Sequence, residues 1–221
     1  MDFSQLLSSL IALFISAWHL VALVLVLWIV TTPWFKGVFG EFMINMSARW
    51  KLDKNVYHLL TNVTLPTEHG STQIDHIIVS VYGVFVIETK NFRGWIFGRP
   101  HQKKWIQQRY KKRYSFQNPI HQNYKHIREV QSISNLEYKQ LHSLVVFVGN
   151  SEFKTAMPDN VIYGGRFIKF IESKTEKVLS PKRVIEIIQA IETNRLRRSL
   201  KTQRAHVLHV KRLIADKQRQ P

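Results

Sequence analysis

The chain of 221 residues contains no cysteine. That absence excludes a disulfide framework and any thiolate metal site, a zinc ribbon included, and it agrees with a reducing compartment. Acidic residues are scarce as well, with 15 Asp and Glu against 32 Lys and Arg and a formal net charge of +17. Between Phe3 and Phe35 there is no Asp, Glu, Lys or Arg at all. No internal repeat and no low-complexity segment interrupts the rest.

The uncharged run is almost wholly apolar from Leu6 to Val30. As a helix it exceeds the roughly 20 residues needed to cross a bilayer core. Only Asp2 precedes it, so the basic leader of a cleaved signal peptide is missing, and the apolar stretch is longer than such peptides use. Lys36, Arg49, Lys51 and Lys54 follow it. By the positive-inside rule, the expectation is a single-pass membrane protein with its large C-terminal part cytoplasmic and a very short N-terminal tail outside.

From Lys36 onward there are 32 basic and 14 acidic residues, a net of +18. A domain this basic expects a polyanion, either nucleic acid or the anionic lipid of the adjacent leaflet. Charge alone does not choose between them.

Hydrophobic periodicity predicts a helix over Val38–Leu52, with Phe39, Phe42, Met43, Met46 and Trp50 at helical spacing. Strands are expected at Val56–Leu65, closed by Pro66, and at Ile74–Val81, Val84–Lys90, Gly94–Phe97, Lys104–Arg109, Leu141–Gly149 and Val161–Tyr163. A helix capped by Asn118 and opened by Pro119 runs to about Asn135, with further helices over Phe167–Glu172 and from Pro181 to about Arg198. The order predicts an α/β fold, a central mixed β-sheet flanked by helices, preceded by one N-terminal transmembrane helix. The expected divisions are 1–35 anchor and exit, 36–150 core, 151–199 an extension of that core, and 200–221 a basic helical tail.

One hairpin carries the chemistry. With Tyr82-Gly83 as a two-residue loop, Ile77 falls opposite Glu88 and Asp75 opposite Lys90, and period-two alternation puts Asp75, Glu88 and Lys90 on one face. Two carboxylates and an ammonium suit a divalent-metal site that cleaves phosphodiesters. On a solvated face the same trio is an ordinary cross-strand ion pair, although Ile77, Val79, Val84 and Val86 give this face apolar company.

Further blocks recur in a known order: Gly40-Glu41, Gln73-Ile-Asp-His76, Gly83 to Asn91, Gly94-Trp-Ile-Phe-Gly98, Trp105 and Phe116 to His126. Over Val38 to Asn150 the chain resembles the nuclease-related domain, NERD, a bacterial branch of the PD-(D/E)XK nuclease-like superfamily. The resemblance implies a restriction-endonuclease-like core. It implies catalytic roles for Glu41, Asp75, Glu88, Lys90 and Gln122, and Mg²⁺ or Mn²⁺ held by Asp75, Glu88, the Thr89 carbonyl and Glu41. Asn118 and Asn123 are implied at an amide-rich helix start that contacts the nucleic acid or orders the site. Some relatives carry a zinc ribbon that this chain lacks.

The stretch with Lys103, Lys104, Arg109, Lys111, Lys112 and Arg113 interleaves Trp105, Tyr110 and Tyr114, so it suits a phosphate backbone equally with a solvated edge. Histidines 101, 121, 126, 206 and 209 form no zinc pattern and read as surface or hydrogen-bonded groups. Three functions are compatible: a membrane-anchored, metal-dependent DNA nuclease, a non-catalytic DNA-tethering module, and a membrane scaffold whose charge serves lipid headgroups.

Overall fold

The computed structural model describes residues 2–68 and 70–196. The expected basic tail, 200–221, lies outside the described residues, and the final helix ends at Asn194, where Arg195 turns extended, short of the expected Arg198. Two compact units divide at Phe39/Gly40.

In the first unit, α1 (Phe3–Thr31) is long and apolar enough to cross a membrane, a test that a signal sequence also passes. Thr32 is extended and ends it. The next helix, α2 (Pro33–Lys51), starts at Pro33 rather than Val38 because proline fits a first helical turn.

The second unit continues with β1 (His58–Thr67), β2 (Gly70–Ser80), β3 (Gly83–Asn91), β4 (Gly94–Phe97), β5 (Lys104–Arg109), β6 (Lys112–Gln117) and α3 (Pro119–Ser134). After these come β7 (Leu141–Val148), β8 (Ser151–Phe153), β9 (Val161–Tyr163), α4 (Phe167–Glu172) and α5 (Pro181–Asn194). Among the described residues the strands form two mixed sheets, β1-β2-β3-β7-β9 and β6-β5-β4-β8. Pro66 lies inside β1 instead of closing it, which an edge strand tolerates.

The five-stranded sheet is buried on both faces. On one, Ile77, Val79, Val84 and Val86 pack against Ile127 and Val130 of α3 and Val184, Ile187 and Ile191 of α5. On the other, Ile78, Phe85, Ile87, Leu144 and Val146 meet Ile44 and Ala48 of α2 and Phe167 and Ile171 of α4. Helix cover on both sides explains why β7 reads as one continuous apolar run. The second sheet joins through Ile96, Trp105, Val145, Phe147 and Val161.

Candidate active site

The hairpin register differs from the sequence expectation. Ser80 faces Gly83 across Val81-Tyr82, and Ile77 pairs with Val86. The Ser80 hydroxyl accepts from the Tyr82 amide and donates to the Gly83 carbonyl, both at 3.2 Å. Gly83 has φ +120°, a conformation that glycine alone adopts freely. Carried one step past His76–Ile87, this register sets Asp75 across from Glu88 instead of Lys90. The slip is two residues, so no side chain changes face.

At the end of this ladder the Thr89 amide donates to Asp75 Oδ2 at 2.9 Å. Lys90 Nζ bonds Glu88 Oε1 at 2.5 Å and Gln122 Oε1 at 3.1 Å. The second Glu88 oxygen faces His126 Nε2 at 3.2 Å, and His126 Nδ1 meets the Thr72 hydroxyl at 2.9 Å. Gln122 and His126 stand four residues apart on α3 and so present to the sheet from one helix face. The result is one hydrogen-bonded chain from Thr72 through His126, Glu88 and Lys90 to Gln122.

Behind the hairpin, His76 is fully buried, its Nε2 3.2 Å from the Glu41 carbonyl and its Nδ1 3.4 Å from the Thr89 hydroxyl. A carbonyl only accepts, so Nε2 carries the proton and Nδ1 takes one from Thr89. His76 thereby ties α2, at Glu41, to β3.

The electrostatics separate the two strand carboxylates. Burial pushes the Asp75 carboxyl well above the usual carboxylate range; Glu88 and Glu41 push it further, while the Thr89 amide and Lys90 oppose them. Burial acts upward on Glu88 too, yet Lys90 and His126 outweigh it and hold that group below its ordinary value. Burial lowers His76 to about 4, against the Glu41 carbonyl and the Glu88 charge. At neutral pH, Glu88 is the ionised partner of Lys90, and His76 is neutral.

Asp75, Glu88, Lys90 and Gln122 therefore meet, and Glu41 lies close enough to act on the charge of Asp75. No group of three or more His, Asp or Glu side chains poised to hold a metal ion is formed among the described residues. Contact between the nucleic acid and Asn118 or Asn123 is corrected. Both are fully buried. The Asn118 side chain accepts from the Ile120 amide and donates to the carbonyls of Pro100 and Gln102, capping α3 and clamping the preceding loop. The Asn123 amide donates to the Val86 carbonyl and the Ser143 hydroxyl. Their role is to dock α3 on the sheet. Lys103, Lys104, Arg109, Lys111, Lys112 and Arg113 are all exposed along the β5–β6 hairpin.

His126 and His76 are the members that the sequence reading left out. Counting one helical turn from Gln122 reaches His126. His76 closes the Gln73-Ile-Asp-His76 block, but its role could not be read there, because its partner lies 35 residues away.

The nuclease-related domain profile matches residues 36–148. The chain belongs to that family, a member of the PD-(D/E)XK-like nuclease superfamily. An uncharacterized protein of Bacillus anthracis is 36% identical over 185 residues, covering 81% of this chain and 86% of the relative. No solved structure matches.

Proposed function

We propose that this protein is a membrane-anchored, divalent-metal-dependent nuclease that hydrolyses DNA phosphodiester bonds. The observation that carries the reading is the cluster of Asp75, Glu88, Lys90 and Gln122, joined across two strands and a helix in a nuclease-related fold.

Asp75, Glu88, the Thr89 carbonyl and Glu41 would hold Mg²⁺ or Mn²⁺. The donor chemistry fits: all are hard oxygen ligands, and Glu88 and Glu41 both push the Asp75 carboxyl upward, a repulsion that a bound cation would relieve. When bound, the ion supplies Lewis-acid polarisation of the phosphate and a more acidic water. Both Glu88 oxygens are engaged here, one by Lys90 and one by His126, so Glu88 would hold an ion in place of its Lys90 contact. Gln122 then keeps the Lys90 ammonium in place, where it orients the attacking water and offsets charge on the phosphoryl oxygens. His126 holds the other Glu88 oxygen. The exposed basic hairpin would track the DNA backbone, and α1 would anchor the chain in an inner membrane with the domain cytoplasmic.

The test uses full-length protein in detergent, given supercoiled, linear, single-stranded and branched DNA with Mg²⁺ or Mn²⁺. Cleavage of at least one form is expected, stopped by EDTA and lost in Glu88→Gln without loss of DNA affinity. Independently, Mn²⁺ should raise the Tm of the wild type but not of Asp75→Asn. No cleavage of any form with either ion refutes the enzyme reading. The closed state of Glu88, paired to both Lys90 and His126, favours a second reading, a tethered module that binds DNA without cutting it. DNA affinity without turnover identifies that module.

A further inference from the structure

A cleft of about 410 Å³ opens at one end of the second sheet, away from the acid cluster's own hydrogen bonds. Arg93 and Trp95 at the start of β4, Arg109 and Tyr110 at the β5–β6 turn, and Asn150 and Glu152 at the start of β8 line it. Its volume falls within the roughly 300–1,000 Å³ of small-ligand clefts.

The lining has an unusual combination. Trp95 is 45% exposed and Tyr110 87% exposed, large apolar surfaces that folding leaves uncovered. Two guanidinium groups stand beside them, and the one acid, Glu152, already has Lys154 as its ion-pair partner. The same Lys154 ammonium lies 4.7 Å from the Trp95 ring centre, and the Arg109 guanidinium 5.8 Å from that of Tyr110. The cleft wall also holds Ser151, whose buried Oγ has no hydrogen-bond partner among the described residues.

We infer that this cleft binds an unpaired nucleotide of a DNA strand: the base against Trp95 or Tyr110, the phosphate on Arg93 and Arg109, and the base edge at Asn150 and Glu152. A paired base in a duplex hides its faces in the stack, whereas an unpaired base offers one to an aromatic ring. Arg93 follows Lys90 by three residues, so their Cα atoms lie at most about 11 Å apart. A strand held in the cleft is thus within a few nucleotides of the lysine. The inference rests on the proposed reading only in taking the polyanion to be DNA. It narrows the substrate class to DNA with a single-stranded end, gap or flap.

The test is fluorescence anisotropy in EDTA, so that cleavage plays no part, with full-length protein in detergent. The probes are a short labelled single-stranded oligodeoxynucleotide and the same sequence as a blunt duplex. Trp95→Ala should weaken single-strand binding about tenfold, within the range for losing one base–aromatic stack, and leave the duplex affinity unchanged. Tyr110→Asn is the second variant; asparagine tolerates the left-handed backbone at this position, φ +54°, so the ring is lost without strain. Unchanged single-strand affinity in both variants, or equal loss on single strand and duplex, overturns the inference. A wild-type chain that cleaves duplex DNA yet binds no single strand also overturns it and leaves the nuclease reading standing. Trp95-dependent binding without any cleavage has the opposite meaning, supporting the cleft and refuting the enzyme.

Discussion

Glu88 is 2% exposed, and its two oxygens are divided between Lys90 and His126, so its charge survives burial only through those partners. Lys90→Met removes the stronger one and strands the carboxylate. The expected loss is about 3 kcal/mol at pH 7, the low end for breaking a buried pair, because the Lys90 side chain keeps 18% exposure. Urea unfolding should show it, with the deficit shrinking at acid pH as Glu88 takes up a proton. A pH-independent deficit contradicts the pairing. His76 gives a second signature. Its folded value of about 4 lies below the ordinary 6.5, so the unfolded chain binds the proton first. The stability it contributes is full above pH 6.5 and is lost as pH falls toward about 4, on the order of 3 kcal/mol in all. Asp75 acts with the opposite sign, since its raised value favours the folded state on acidification. The measurement is therefore the difference between wild type and His76→Asn, from denaturant midpoints at pH 7, 6, 5 and 4. That difference should narrow steadily across the series; a flat one shows that His76 is not held neutral.

At the scale of elements, α2 reaches the sheet through one small residue. A Cβ on Gly40 would lie 2.9 Å from both Asn91 Cβ and Val148 Cγ2, so the helix passes the ends of β3 and β7 closer than any side chain permits. Glu41 follows directly, and the close passage sets its distance from Asp75. Gly40→Ala should cost about 1–3 kcal/mol from overpacking, despite the gain of about 1 kcal/mol in helix propensity, and should weaken stabilisation by Mn²⁺. Gly37, on the same helix with nothing within 4 Å, is the control, and Gly37→Ala should stabilise. Equal effects at both positions refute the packing argument. Gly40-Glu41 could be read as a motif, but the contact behind it could not, because its partners are 51 and 108 residues away. Where the signal is local, elements were legible: Asn118 caps α3 as its type and the following proline predict, and α4 occupies Phe167–Glu172. β6 was missed because Lys112 and Arg113 open it and its face is mostly solvated; β8 was missed because three residues carry no period. The hairpin register slipped because Gly83 was placed inside the loop rather than paired with Ser80. Period two preserved the face, so the acid–lysine cluster was found in spite of the slip.

For the whole molecule, charge is the dominant property: 32 basic against 15 acidic residues, with Lys103, Lys104, Lys111 and Lys112 exposed around one hairpin. A phosphate backbone bound there releases condensed counterions, and affinity then falls with salt by about 0.9 log unit per log unit of salt for each phosphate neutralised on duplex DNA. An ordinary solvated hairpin contributes nothing to that slope, since charges farther than about 10 Å from the phosphates are screened at 0.1 M salt. The two cases separate when all four lysines become glutamine and duplex affinity is measured from 50 to 300 mM salt with full-length protein in detergent. If the hairpin lies on the backbone, the slope should shrink by about 3 to 4, and the variant's deficit should be large at low salt and small at high salt. The fold is indifferent to these positions, because all four side chains are exposed and none of the buried clusters includes them. An unchanged Tm with an altered slope therefore assigns the hairpin to DNA. An unchanged slope shows that these four lysines neutralise no phosphate, and vesicles of anionic lipid offered to the same variant then show whether they serve a membrane instead.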